Sequence, residues 1–476
     1  MADAAAALSL GLALFFLSSA TTPATSSATP RPLGARANNI TLGSSLSTTA
    51  ATPASTSSWL SPSARFAFGF YPVPGGFAVG VWLATSPNIT VLWTAFRDEP
   101  PFTSATLTLL LDGQLHLTST SGARRDKVIS GTKHGSYASM LDTGELVIYD
   151  KEGRPVWSTS DSPTDTILAG QTLRPDQKLV SASNNNGSTG GFRLKMQTDG
   201  NLVLYPADTY GSSYYADSSY NAYWASGTFD AGTDVSLSLK LDSQGCLFLS
   251  PDLQSNYTRV NLTDAQPSRP SSSHGRVATA AEVYYRATLD VDGVLRLYSH
   301  TFFRGSSTST AVVWWAPVDP CAVKGACGFN SYCDTSPGGG APDCLCPPGF
   351  RFIDPGKSSA GCERNFTAVG CGGGGGSAAT AARGVTMTAV SVAWAESLSS
   401  VSASARAEDC EAACLADCFC DAALFRDGKC VKQSLPLRYG HRSEDVETFL
   451  KDGGSAVDPR TTSIHPGDKT QTPPLI

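Results

Sequence analysis

The chain reads as a mainly β protein whose C-terminal part is stapled by disulfides, and three observations predict this. An Asp followed within three residues by Gly, then alternating apolar positions, recurs five times before residue 300. A tryptophan between an apolar residue and small residues recurs four times in the same region. Of the 13 cysteines, all but Cys246 lie between 321 and 430.

Composition narrows the function first. Over 476 residues, two to four domains are expected. Only 16% of residues are charged and the net charge is −6, so there is no basic field for a nucleic acid partner. The six histidines are scattered at 116, 134, 274, 300, 441 and 465 without a close pair or an HExxH. No metal site and no catalytic constellation emerge, and no cofactor is called for.

The N-terminus reads as a signal peptide over residues 1–20. Leu8 to Leu17 (LSLGLALFFL) has the length of a signal core and is too short to span a bilayer. Ser18 and Ala20 suit the small positions of a cleavage site, although Asp3 replaces the usual basic residue. Six Asn-x-Ser/Thr sequons, at Asn39, Asn88, Asn186, Asn256, Asn261 and Asn365, suit a secreted, extracellular glycoprotein.

Leu111 to Leu117, Leu141 to Tyr149, Thr198 to Tyr205, Leu241 to Leu249 and Val291 to Tyr298 each predict a hairpin, since Gly tolerates positive φ and Asp bonds nearby amides. The tryptophans of the second element are Trp93, Trp157, Trp224 and Trp315, and regular spacing predicts that they fill a shared core. Residues 44–58 are low-complexity and read as a surface loop. Ser158 to Gly170 is turn-rich and divides two consecutive β domains.

Cys321, Cys327, Cys333, Cys344, Cys346 and Cys362 crowd into about 42 residues, too small a span for a hydrophobic core alone. Spacing by itself leaves 15 pairings open. A second group is Cys371, Cys410, Cys414, Cys418, Cys420 and Cys430. Cys410, Cys414 and Cys418 stand at i, i+4 and i+8, so a helix through them would carry three sulfurs on one face. Cys246 is left over as a buried, inert thiol.

Gln197 to Tyr205 reads QTDGNLVLY and matches the QxDxNxVxY mannose-binding motif of bulb-type lectins at all five positions. Together with the PPGF-bearing first cysteine group, which resembles an EGF-like module, and a C-x3-C-x3-C-x-C-x9-C run similar to PAN/apple domains, the order resembles the ectodomain of plant S-domain, or G-type lectin, receptor-like kinases. SWLSPSARFAFGFYP at 58–72 and SPTDTILAGQTL at 162–173 also resemble segments of that family. The resemblance implies two β-prism domains of three four-stranded sheets around a tryptophan-lined centre, at 36–158 and 159–317. It further implies an EGF-like module at 318–363 with pairs 321–333, 327–344 and 346–362, and a PAN/apple-like α+β domain at 364–452. Residues 453–476 read as a disordered tail.

The motif has a physical basis of its own. Residues at period two share one face of a strand. Asp199 accepts from sugar hydroxyls, Gln197 and Asn201 donate and accept, Val203 covers a C–H patch and Tyr205 adds a hydroxyl. The other four repeats depart from the motif, with Glu145, Gln114, Cys246 and Val294 at the Asn position, and read as structural relics. Binding at one site is then weak unless a homodimer supplies avidity. The expected partners are mannose-type glycans or glycoproteins, with a peptide ligand or a membrane receptor kinase implied by the resemblance. The kinase of that family has no counterpart among these residues: V-A-I-K, H-R-D and D-F-G are missing, so the chain reads as a binding protein and not an enzyme. The alternative function is an ectodomain for protein contacts whose lectin sites are vestigial, or a receptor-kinase ectodomain cut short.

Overall fold

The computed structural model describes residues 39–49, 57–85, 89–119, 125–183, 187–206, 219, 221–229, 236–252, 259–263, 282–303, 308–335, 342–366, 385–395, 399–404 and 406–452. The signal and tail expectations, three sequons (Asn88, Asn186, Asn256) and Cys371 lie outside them.

Strand alternation builds two similar lobes. In the first, three four-stranded sheets form from Ser58–Leu60, Phe66–Val73, Gly76–Leu83 and Thr90–Ala95; from Ser45–Thr49, Ser104–Leu109, Leu115–Ser119 and Arg125–Val128; and from Asn39–Thr41, Tyr137–Met140, Leu146–Tyr149 and Pro155–Ser158. The three leading strands each complete a different sheet, so local hairpins are tied together by the N-terminal segment of the lobe. The second lobe repeats the plan. Thr166–Leu168 joins Glu282–Leu289, Leu295–Phe302 and Thr308–Ala316; Thr172–Leu173 joins Leu237–Leu241, Leu247–Pro251 and Val260–Asn261; Lys178–Ala182 joins Thr189–Met196, Leu202–Pro206 and Trp224–Ala225.

Two expectations need correction here. Ser45–Thr49 lies within the segment read as a loop, yet it is an edge strand. Leu46 pairs with Leu107 and packs on the core, and the alternation SLSTT is what a half-buried strand requires. The lobe centres are filled by Leu, Phe, Val and Ile, such as Phe66, Phe68, Leu107 and Ile148 in the first and Leu179, Leu204, Leu239 and Leu297 in the second. The tryptophans Trp93, Trp157, Trp224 and Trp314 pack partly buried against those cores. Trp93 and Trp157, from different sheets, meet edge to face at 6.4 Å beside the first core. In the fourth repeat the packed residue is Trp314, whereas Trp315 is exposed.

The five Asp-Gly hairpins share one turn. In each, the Gly amide donates three residues back, and the residue at the start of the turn donates to the residue after the Gly; Gln197 N to Asn201 O is 2.9 Å. Each Gly sits near φ +85°, as in Gly113 and Gly200. This is a type I turn closed by a left-handed residue, which only Gly enters without strain.

Beyond residue 318, the two cysteine-rich parts share structure. Tyr332–Thr335, from the first cysteine group, runs parallel to Arg438–Arg442 in a four-stranded sheet with Pro342–Leu345 and Val392–Ala395. A five-stranded sheet (Thr386–Val390, Glu447–Asp452, Ala422–Arg426, Lys429–Gln433, Ser399–Ala403) packs against the helix Ala407–Leu415. Phe350, Trp394, Leu437 and Leu450 form one core, and the Trp394 indole donates to Ser331 O at 3.1 Å. Among the described residues, no helix is long and apolar enough to cross a membrane.

Candidate carbohydrate site

The motif hairpin is held from below by leucines and from the side by a hydroxyl cluster. Leu202 and Leu204 point into the second core and are buried. Asn201 N donates to Asp199 Oδ1 (2.9 Å), which presets the Asp carboxylate at the turn. Asn201 Oδ1 accepts from Ser226 Oγ (3.1 Å) and Thr228 N (3.2 Å), while Thr228 Oγ1 donates to Gly200 O (2.7 Å). The Asn201 amide oxygen is therefore committed to the fold, and its amide hydrogens are what it can offer a sugar. Gln197 Nε2 donates to the Tyr205 hydroxyl at 2.8 Å, joining the first and last motif residues across the strand.

Exposure divides the five. Asp199 is exposed, and Gln197 and Asn201 are half-buried. Val203 and Tyr205 were expected on an open strand face, but they are only 2% and 1% exposed. Their cross-strand neighbours are Lys195 and Arg193, and the Arg193 guanidinium lies 5.0 Å from the Tyr205 ring centre. Lys195 is anchored to Asp176 at 2.9 Å. Long cationic side chains lay their methylenes along a strand face, which sequence alternation cannot reveal. The motif thus presents a polar rim of Asp199, Gln197 and Asn201, with its apolar floor covered.

In the other hairpins the side chains at the motif positions engage neighbouring side chains. Arg296 stands at the Val position of the last repeat and donates to Asp290 and Asp292, while Tyr298 donates to Asp290 at 2.6 Å. Glu145 accepts from Gln171 at 2.6 Å, and Tyr149 stacks on Tyr137 at 5.1 Å. His116 lies 3.1 Å from Asp126. Arg259 covers Phe248 at 3.4 Å. Cys246 is free and only half-buried, because it closes the turn ahead of Leu247–Pro251 and does not sit inside the strand.

The cysteines pair as 321–333, 327–344, 346–362, 410–430 and 414–420, and Cys418 is also disulfide-bonded. The helix does not extend through Cys418 as expected. It ends at Leu415, because the bond between Cys414 and Cys420 requires the chain to reverse where a continuing helix would separate them by roughly 9 Å. The described sequons Asn39, Asn261 and Asn365 are exposed. No His, Cys, Asp or Glu group suited to a metal occurs among the described residues.

Two features escaped the sequence reading. Arg97 and Asp98 of the first lobe clamp the second through Val180, Gly187 and Thr189. Trp315 is 46% exposed beside Arg296, and its only signal was the doubled tryptophan in VWWAP.

Residues 90–184 match the family model for D-mannose binding lectin, and residues 245–353 match that for the S-locus glycoprotein domain. The motif at 197–205 falls between the two matches. The G-type lectin S-receptor-like serine/threonine-protein kinase LECRK1 of Oryza sativa subsp. japonica is 34% identical over 441 residues, 86% of this chain and 50% of the relative. The corresponding kinase RLK1 of Arabidopsis thaliana is 26% identical, over 83% of this chain and 48% of the relative. The chain therefore spans about half the length of the relatives it matches. Among solved structures, a monomeric monocot mannose-binding lectin from Gastrodia elata aligns at 21% identity with a TM-score of 0.20, covering 33% of this chain and 98% of its own.

Proposed function

We propose that this chain, which carries D-mannose binding lectin and S-locus glycoprotein domains and is related to the ectodomain half of the plant G-type lectin receptor-like kinases, is an extracellular carbohydrate-binding receptor-like protein. Its sugar contacts are Gln197, Asp199 and Asn201, with Val203 and Tyr205 beneath them, and the ligand class is α-mannose-type glycans. It works by binding alone.

The observation that carries the reading is the prearranged polar rim. The turn fixes Asp199 through the Asn201 amide and leaves the carboxylate exposed, so a hydroxyl pair meets a fixed acceptor. Weak binding follows from so few exposed contacts, with a Kd on the order of millimolar to high micromolar. Saturation-transfer NMR with methyl α-D-mannoside on wild type and Asp199→Asn tests it. Asn keeps the acceptor for the backbone amide, so the variant stays folded while its mannoside signal falls.

The burial of Val203 and Tyr205 favours a second reading, a protein-binding ectodomain with a vestigial lectin site. A folded wild type with no mannoside response would sink the first reading and leave this one.

A further inference from the structure

Four tryptophans take the same register in their sheets. Trp93 pairs with Val81, Trp157 with Ile148, Trp224 with Leu204 and Trp314 with Leu297, and each packs against a lobe core. The next residue along a strand faces the other way. Those next residues are Thr94, Ser158, Ala225 and Trp315. Three are small, while the fourth is an indole, 46% exposed, although Trp314 already serves the core.

The surroundings of Trp315 are polar and fixed. It stands across from Arg296, whose Nη1 donates to Asp290 Oδ2 and Asp292 Oδ1, both at 2.8 Å, and whose Nη2 donates to Asp292 Oδ2 at 2.7 Å. The Tyr298 hydroxyl donates to Asp290, and the Arg286 guanidinium lies 3.9 Å from the Tyr298 ring centre. Val312, across from Tyr298 and also exposed, extends the apolar strip. A pyranose asks for this combination: a flat aromatic face for its C–H bonds and rigid donors and acceptors for its hydroxyl edge.

We propose that the outer face of the strands Leu295–Phe302 and Thr308–Ala316 is a second carbohydrate site, separate from the 197–205 motif, with Trp315 as stacking platform and Asp292 and Arg296 at its polar edge. The ligand class is a neutral β-linked glucoside or galactoside. Such sugars keep axial hydrogens at C1, C3 and C5 on one uninterrupted face, which the axial anomeric oxygen of an α-mannoside breaks. Arg296 is already compensated by two carboxylates, so an acidic sugar gains nothing there.

The test is calorimetry and saturation-transfer NMR on the full chain with cellotetraose and methyl β-D-galactoside, using wild type, Trp315→Ala and Trp315→Phe. At least one probe should bind wild type, tenfold or more weakly Trp315→Ala, and Trp315→Phe should fall between them. The methyl α-D-mannoside response should be the same in all three, which separates failure here from failure of the motif site. Wild type silent to both β-probes, or binding unchanged in Trp315→Ala, overturns the proposal. So does a wild-type dimer that binds neither probe and that Trp315→Ala converts to monomer, since the indole would then be a protein contact.

Discussion

The His300 imidazole is enclosed between three strands. Arg286 Nε donates to its Nε2 at 3.0 Å, Thr310 Oγ1 lies 2.9 Å from its Nδ1, and Tyr284 is its cross-strand partner. Burial, with Arg286 adding repulsion, lowers its pKa from 6.5 to about 4. Between those values the unfolded chain binds a proton that the folded chain refuses, so stability is full above 6.5 and falls as pH drops toward 4. The expected loss is about 2–3 kcal/mol. Urea titrations across that range should show the slope in wild type and a flatter one in His300→Gln; equal slopes would refute the assignment. Asn201 also braces the fold. Because its Oδ1 anchors Ser226 and Thr228, Asn201→Ala should lower stability by about 1–2 kcal/mol as well as sugar affinity. Denaturation of that variant beside Asp199→Asn, which should stay within about 0.5 kcal/mol of wild type, separates bracing from binding.

Among elements, the helix Ala407–Leu415 is the most dependent on its surroundings. Nine residues are too few for a stable isolated helix, and Arg406 at its N-cap supplies no side-chain bond. Cys410 and Cys414 lie buried on its inner face and tie it to Cys430 of the sheet and to Cys420 of the following turn. Replacing Cys410 and Cys430 together by Ser should cost about 2–4 kcal/mol. Chemical denaturation should register that loss, with the lobes' own transition unmoved; an unchanged profile would show that packing alone holds the helix.

At the scale of the molecule, the two lobes are joined by a seam continuous with the first core, which includes Leu168 and Phe302 of the second lobe. Arg97 donates to Gly187 O (3.0 Å) and Val180 O (2.7 Å) and meets Asp165 at 3.4 Å, while Asp98 accepts from Thr189 N and Oγ1. Trp93 Nε1 reaches Ser162 O at 2.8 Å, and the Tyr284 hydroxyl reaches Thr143 O at 2.7 Å. Burial pushes the Asp165 carboxyl upward while Arg97 pulls it down. Arg97→Ala leaves that carboxyl and two carbonyls without their cation, an expected loss of about 3 kcal/mol. Calorimetry should then show the lobes melting at separated temperatures, and a single unshifted transition would contradict the clamp. Val180 lies in the same sheet as the motif, across from Arg193, so the clamp also steadies that sheet.

The mainly β class and the hairpin turns were legible in the chain, because Asp-Gly chemistry and period-two alternation are local and act within about eight residues. The relation to bulb lectins and S-domain proteins was equally legible, since cysteine spacing and motif order survive without coordinates. Only the tertiary structure decided which tryptophan of VWWAP enters the core, since a bulge between Leu297 and Tyr298 shifts the register by one residue and turns Trp315 outward. It also decided that Val203 and Tyr205 are covered and that residues 332–335 join a sheet with 438–442, more than a hundred positions away. Such outcomes depend on which side chains from distant segments converge on a face, and no local pattern encodes that convergence.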